Sequence, residues 1–406
     1  PTRRSSDLSQ GGKLMTFDVK TYNVIAQEGI DVFPKDSYTV NQTENPDALL
    51  IRSQDMHKTA FGTNVLAIAR AGAGFNNIPL VKCTDQGTVV FNTPGSNANA
   101  VKELVVALLI LAARPVIPAI QWAKKMGGAD VSLQTEKGKN HFDGTELQGK
   151  RIGVIGLGSV GSKVARAAYD LGMDVVGYDP YISVEHAWRL SNDIPRAESL
   201  DDVLNDSDYV TIHIPYTEQN RNLISAKELA KMKDGAVLLN YSRGGIVNDH
   251  DVCEALDSGK LRLFMTDFSS PEVLNHDKTV VTPHLGGTTE EAEVNGAKQA
   301  ARTLRKYLET GNIVNSVNFP TVEMPFEAPL RLTLIHQNIP NMVGRITTIL
   351  ANREINIDNM INRSRDKIAY TVIDAAALSE EQVEELEKEL MTIPEVIRVR
   401  ALHNHA

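Results

Sequence analysis

The run Arg151-Ile152-Gly153-Val154-Ile155-Gly156-Leu157-Gly158-Ser159-Val160-Gly161, followed by Asp174-Val175-Val176-Gly177-Tyr178-Asp179, organises the rest of this sequence. An apolar segment of strand length ends in G-x-G-x-x-G and passes directly into a helical pattern. Gly156 permits the tight turn, Gly158 lets a pyrophosphate approach the backbone, and Gly161 allows close helix–sheet packing. The helix start, with Ser159 and Val160 in its first turn, offers free N–H groups and a positive dipole end to phosphate. Asp179 ends the next strand, eighteen residues after Gly161. A carboxylate there accepts hydrogen bonds from ribose hydroxyls and repels a 2′-phosphate, so NAD is expected over NADP. With 28 glycines in the chain a bare fingerprint arises by chance, and the strand, helix and Asp179 make this one specific.

Away from the fingerprint, short apolar runs alternate with helical patterns from about Tyr22 to Ile313, which predicts an α/β fold with parallel sheet. YNVIA (22–26), ALLIR (48–52), VLAIAR (65–70) and GTVVFN (87–92) read as strands. Asn97–Trp122 reads as one long apolar helix, and Lys137–Gly149 as a connector. Beyond the fingerprint, DYVTIHIP (208–215), GAVLLNY (235–241), LRLFMTD (261–267) and TVVTP (279–283) read as strands. Ser225 with Glu228, Thr288 with Glu291 and Ser379 with Gln382 fit capping boxes. Thr288–Thr310 forms an amphipathic helix with Gly311 placed to cap its end. Pro320, Pro325 and Pro329 then punctuate a linker and plausible hinge. After it, LRLTLIH (330–336), a helix at Met342–Asn352, INIDNMI (355–361), KIAYTVIDA (367–375), a helix at Ser379–Thr392 and VIRVRAL (396–402) give the ferredoxin-like order βαββαβ.

Composition bounds the function. At 406 residues the chain has room for two to four domains, and 42% hydrophobic with 23% charged residues is ordinary for a globular protein. A net charge of −9 argues against broad binding to nucleic acid or an anionic membrane, so an anionic substrate must be met by local cations. Cys83 and Cys253 show neither metal nor redox spacing, which fits a reducing cytoplasm, and no metal is expected. The longest apolar run, Leu104–Ala113, is too short to span a bilayer. Residues 1–14 are polar and patternless, and read as a tag, a cloning remnant, a misassigned start or a disordered arm.

Oxidising an alcohol with a nicotinamide needs a base for the hydroxyl proton and a cation to orient the substrate. Arg243 in YSRGGIV, Glu272 in TDFSSPEV and His284 in VTPHLGG all follow strands, where open α/β sheets bind ligands. A Glu held against His284 would fix its tautomer and raise its pKa. Singly, each has a plainer reading: a structural His, a strand-end ion-pair partner, a solvated carboxylate.

Together, the fingerprint with Tyr178-Asp179-Pro180, His213-Ile214-Pro215, SRGGIV (242–247), Thr266-Asp267 and PHLGG (283–287) resemble the D-2-hydroxyacid dehydrogenase family, over essentially Met15 to the end. The resemblance implies a catalytic trio of Arg243, Glu272 and His284, with Glu272 keeping the family's offset of five after Asp267. It implies that Asp267 holds the nicotinamide carboxamide, and that backbone near His213 and Ser242 lines the cofactor cleft. The glycine loop Gly72-Ala73-Gly74 matches the nest of amides that takes a substrate carboxylate. Arg52 and Arg70 match basic positions for a substrate phosphate, with Lys150 a further candidate and Gln54 standing where some relatives carry Arg. Exposed strand-end cations are the bland reading of both arginines.

The C-terminal unit resembles an ACT domain, a small-molecule sensor. His336, Asn338 and Asn356, the last twenty residues after His336, match serine-binding positions. A purely structural dimerisation unit is the other reading. The resemblance thus implies two Rossmann-like parallel-sheet domains and a C-terminal ferredoxin-like ACT domain. Expected boundaries are 15–96 with 285–318 for substrate, 97–284 for NAD, 319–329 as linker and 330–406 as the ACT domain. It implies NAD-dependent oxidation of 3-phospho-D-glycerate to 3-phosphohydroxypyruvate, the first step of L-serine biosynthesis, with L-serine as feedback inhibitor. Reduction of hydroxypyruvate, glyoxylate or 2-oxoglutarate is the alternative, and an NAD-sensing binding protein a third reading. A homodimer or homotetramer is expected, with the apolar helix at 97–122 either its two-fold interface or packed within the monomer.

Overall fold

A computed structural model describes residues 16–184, 187, 190 and 194–404. The expected leader at 1–14 lies outside the described residues. Two compact units emerge, one running up to Ser96 and resuming at Glu293, the other Asn97–Ala292.

The first unit opens with a parallel sheet of β1 (Phe17–Thr21), β2 (Tyr38–Val40), β3 (Ala48–Ile51), β4 (Ala67–Arg70) and β5 (Val89–Phe91), ordered β2-β1-β3-β4-β5. YNVIA is not a strand. Asn23 turns into the left-handed region at φ 67° and ends the extended backbone, and the strand is the preceding FDVKT, which buries Phe17 and Val19. The helix Glu290–Thr310 covers this sheet, and Ala297, Ala300, Ala301 and Leu304 enter its core. Its expected cap moves by one residue, with Thr289 accepting from Ala292 N at 3.1 Å. Gly311 follows at φ 70°.

The second unit holds β6 (Arg151–Ile155), β7 (Asp174–Tyr178), β8 (Tyr209–Ile212), β9 (Ala236–Asn240), β10 (Leu261–Thr266) and β11 (Thr279–Val281). Their order is β11-β10-β9-β8-β6-β7, parallel throughout. Every residue of β8 and β9 is buried, as expected where helices cover both faces of a sheet. The long apolar helix is broken: Ala98–Ala113 and Val116–Ala123 meet at 69°. Pro115 forces Arg114 into extended backbone, ψ 124°, and ends the first segment. Part of the expected connector at 137–149 is helical, because Val131–Gly138 runs into a 3-10 turn at Lys139–Phe142. No single helix among the described residues is long and apolar enough to cross a membrane.

Within the first unit, β12 (Leu330–Gln337), β13 (Ile357–Arg365), β14 (Ile368–Ala375) and β15 (Val396–His403) form an antiparallel sheet ordered β13-β14-β12-β15. With helices Met342–Asn352 and Glu380–Leu390 this is the predicted βαββαβ unit. One sheet face packs Leu332, Leu334 and Ile373 on Ile346, Leu350 and Leu386 of those helices. The other contributes Ile335, Tyr370 and Val372 to the core that contains Phe91, Tyr307 and Leu308. Both faces of β12 are therefore covered. The proline-bearing segment before it is pinned. Phe319, Val322 and Met324 are buried, and Arg331 donates to the carbonyls of Thr310, Met324 and Pro325.

Candidate active site

The fingerprint sits where the strand order reverses, between β6 and β8. Gly156, at φ 89°, leaves β6 so close to the end of β8 that a Cβ on it would stand 2.5 Å from the His213 carbonyl oxygen. A Cβ on Gly161 would stand 1.8 Å from the Gly156 carbonyl. Above Gly158 there is open space, with nothing within 4 Å of a Cβ. Two glycines are thus demanded by the protein's own packing, while the third leaves room for a pyrophosphate. Ser159 and Val160 complete the turn into the helix Gly161–Asp170. Asp179 takes the Leu157 and Tyr181 amides at 2.9 Å each, which ties the second strand's carboxylate to the glycine turn. These residues fit a dinucleotide. His213 is half-buried, with Nε2 2.9 Å from the Thr211 hydroxyl and Nδ1 buried without a hydrogen-bond partner among the described residues. Burial lowers its pKa to about 3, so the imidazole is neutral.

The ends of β9, β10 and β11 carry the other expected residues. Asn240, buried at the end of β9, shapes the next turn: its Oδ1 accepts from Ser242 Oγ at 2.9 Å and its Nδ2 donates to the Arg243 carbonyl at 2.9 Å. Arg243 itself is exposed, and its guanidinium returns to the Ser242 carbonyl at 2.7 Å. Asp267, 3% exposed, accepts from Thr282 Oγ1 and from the Leu285 and Gly286 amides, the latter two at 2.8 and 2.7 Å. Between those anchors, His284 lies exposed in left-handed backbone, φ 57°. Phe268 meets the His284 ring edge-on at 5.1 Å, and its Cβ lies 3.5 Å from where a Gly244 Cβ would be. The Arg243 loop and His284 therefore share one neighbour. Glu272 is exposed on the one-turn helix Pro271–Leu274 and is not hydrogen-bonded to His284. The field of its carboxylate instead contributes to raising the Cys253 thiol pKa, after burial.

In the first unit, Arg52 and Arg70 follow β3 and end β4. Arg70 Nε donates to the Arg52 carbonyl at 2.9 Å, and its guanidinium folds over the glycine loop, with Nη1 2.4 Å from where a Gly74 Cβ would stand. The Arg52 guanidinium pairs with Glu293. Thr93 Oγ1 takes the Gly72 amide at 2.7 Å, and Asn92 Nδ2 donates to the Ala73 carbonyl at 2.6 Å. Lys150 is placed elsewhere, just before β6 at the opposite end of the strands from the fingerprint, in a cavity of about 590 Å³ with Arg262, Asp208 and Asp277.

In the C-terminal sheet His336 is buried, Nδ1 2.8 Å from the Gln337 carbonyl and Nε2 2.8 Å from the Thr371 hydroxyl. Burial lowers its pKa. Asn338 donates to the Asp366 carbonyl at 3.1 Å and Asn356 to Asp358 at 3.2 Å, so no hydrogen bond joins the three.

No sequence motif marks Asn240, Tyr241, Thr282, Phe268, Asn92 or Thr93 as a site residue. A buried strand that closes on a polar residue, as β9 does at Asn240, was the available signal.

The chain belongs to the D-isomer specific 2-hydroxyacid dehydrogenases, whose NAD-binding domain matches residues 108–286, and it is an NAD-dependent oxidoreductase acting on CH–OH groups. Its relatives are named more narrowly. It is 30% identical to D-3-phosphoglycerate dehydrogenase 1 of Saccharomyces cerevisiae, over 93% of this chain and 86% of that protein. It is 33% identical to D-3-phosphoglycerate dehydrogenase of Escherichia coli K12, over 84% and 82%. In fold it is similar to the NAD⁺-bound 3-phosphoglycerate dehydrogenase of Entamoeba histolytica, with TM-score 0.57 at 22% identity, over 75% of this chain and 99% of that one.

Proposed function

We propose that this chain oxidises 3-phospho-D-glycerate to 3-phosphohydroxypyruvate with NAD, opening L-serine biosynthesis in the cytoplasm, and that L-serine inhibits it. The observation that carries the reading is the gathering of the Arg243 turn, Asp267 and His284 at adjacent strand ends of the sheet that bears the glycine fingerprint. Gly156, Gly158, Ser159, Val160, Gly161 and Asp179 would hold the dinucleotide, with His213, Ser242 and Asp267 lining its nicotinamide end. Bound there, NAD supplies a hydride acceptor. His284 then takes the C2 hydroxyl proton, and Arg243 holds the carbonyl oxygen that forms. Glu272 is assigned to support the His284 imidazole in the substrate complex, and Glu272→Gln is expected to lower kcat. In the first unit, the Gly72-Ala73-Gly74 amides take the substrate carboxylate, and Arg70 with Arg52 takes the phosphate.

One observation favours a second reading. Arg52 is paired with Glu293, and Gln54 donates to Thr59 at 2.9 Å, so phosphate grip rests mainly on Arg70. An unphosphorylated 2-oxoacid such as hydroxypyruvate, glyoxylate or 2-oxoglutarate would then be the better substrate. NADH oxidation with each of these and with 3-phosphohydroxypyruvate, with and without millimolar L-serine and beside His284→Ala, tests the proposal. Preference for the phosphorylated acid, suppression by serine and loss in the variant are expected. Equal use of glyoxylate would overturn the substrate assignment, and NADH binding without turnover would favour an NAD-sensing protein. Serine at His336, Asn338 and Asn356 must compete with the imidazole's internal hydrogen bonds, and serine-insensitive turnover would remove that role.

A homodimer or homotetramer is part of this reading. The helix Val116–Ala123 buries none of its residues and leaves Ile117 and Ile120 45% and 49% exposed, as an interface would. Light scattering of Ile117→Asp/Ile120→Asp is expected to give a smaller particle.

A further inference from the structure

We infer that Tyr241 and Thr282 are positioning residues for His284, acting through the Asp267 carboxylate. This rests on the reading of His284 as the proton acceptor. Thr282 Oγ1 lies 2.5 Å from Asp267 Oδ1 and 3.3 Å from the Tyr241 hydroxyl. A threonine hydroxyl has one proton and the carboxylate only accepts, so the short contact has Thr282 donating to Asp267, with the Tyr241 hydroxyl packed beside the Thr282 oxygen. Tyr241 stays protonated in this position. It is 4% exposed, and burial is the main cause of a pKa raised to about 12. The short bond therefore runs from threonine to aspartate, and the buried tyrosine hydroxyl backs the threonine oxygen.

Asp267 has a second task. Its two oxygens take the Leu285 and Gly286 amides, the next two after His284. The His284 amide is held on the other side by the Thr282 carbonyl at 3.0 Å. His284 is thus fixed by hydrogen bonds before and after it, in backbone that side-chain-bearing residues seldom adopt. A strained conformer persists only where its surroundings over-determine it, and here Thr282 acts twice, through its carbonyl and its hydroxyl. The groups facing the Asp267 carboxylate are these two amides and one hydroxyl, and no cation among the described residues pairs with it. Removing the hydroxyl leaves a buried carboxylate short of a donor, and the His284 turn is free to relax.

Thr282→Val keeps the shape and deletes the hydroxyl. It is expected to lower kcat roughly 10-fold or more, well beyond any change in the NADH dissociation constant, because the main loss is one of alignment. Thr282→Ser should restore kcat to within about threefold, and Tyr241→Phe, which breaks the longer bond, should cost about three- to fivefold. On a His284→Ala background, Thr282→Val should cause no further loss. A purely structural network would lower the melting temperature without this split, or lower both backgrounds equally, and either result overturns the proposal. So would a loss that follows NADH affinity. If His284→Ala is fully active, the assignment of the base fails, and amide hydrogen exchange judges the network by itself. Thr282→Val must then speed exchange at Leu285 and Gly286, and unchanged exchange sinks it.

Discussion

Arg331 and Asp374, neighbours on β12 and β14, meet in a two-pronged pair, Nε to Oδ1 at 2.6 Å and Nη2 to Oδ2 at 2.8 Å, with side chains 0% and 2% exposed. The remaining guanidinium donors go to main-chain oxygens of the preceding segment and to Asn312 Oδ1, and the Phe326 ring lies 4.4 Å from the guanidinium carbon. Asp374→Asn leaves a buried cation uncompensated and should cost about 3–5 kcal/mol, read from chemical denaturation. Replacing both partners, Arg331→Met with Asp374→Leu, should cost distinctly less. A double variant as unstable as the single one would show that the carbonyl contacts of Arg331 dominate.

The fingerprint glycines make opposite predictions. Gly156→Ala meets the His213 carbonyl and is held in left-handed backbone, so it should lose at least about 1–3 kcal/mol of stability. Gly158→Ala meets nothing and should fold normally while weakening NADH binding. Thermal melts paired with fluorescence titration separate the two, and a stable Gly156→Ala would contradict the close approach.

Acid stability should depend on His213. Its folded pKa, about 3, is below the unfolded value near 6.5, so the unfolded chain takes up a proton first as pH falls. The contribution is therefore complete above pH 6.5 and is lost progressively towards pH 3. His213→Gln should flatten the stability–pH curve across that window, and an unchanged slope would place the acid sensitivity elsewhere.

Much of the fold was legible because it is written in local patterns. The parallel strands of the second unit are continuous apolar runs, and the C-terminal unit alternates strand and helix patterns in the expected order. Capping boxes also read correctly at Ser379, where the hydroxyl takes the Gln382 amide and the Gln382 side chain takes the Ser379 amide. Polarity hides the first strand. FDVKT looks less strand-like than YNVIA, yet alternation of Phe17 and Val19 is what a half-buried strand shows, and a single left-handed Asn23 disqualifies its neighbour.

For the site, motif and position gave Arg243, Asp267 and His284 their placing at the carboxyl ends of strands, since parallel topology puts every such end on one side. The contact of Tyr241 with Thr282, and of Thr282 with Asp267, could not be read, because 41 residues separate the two hydroxyls and only the pairing of β9, β10 and β11 makes them neighbours. Nor could the lack of a Glu272–His284 hydrogen bond, or the Glu293 carboxylate that takes up Arg52, since both depend on where side chains come to rest.

Linear order alone was enough for the dinucleotide turn, the parallel strands and the ferredoxin-like tail, because glycine, proline and apolar periodicity act over a few residues. Packing in three dimensions set which buried polar groups satisfy one another, as in the Arg331–Asp374 pair and the anchoring of His284, because a hydrogen bond depends on distance in space and not along the chain.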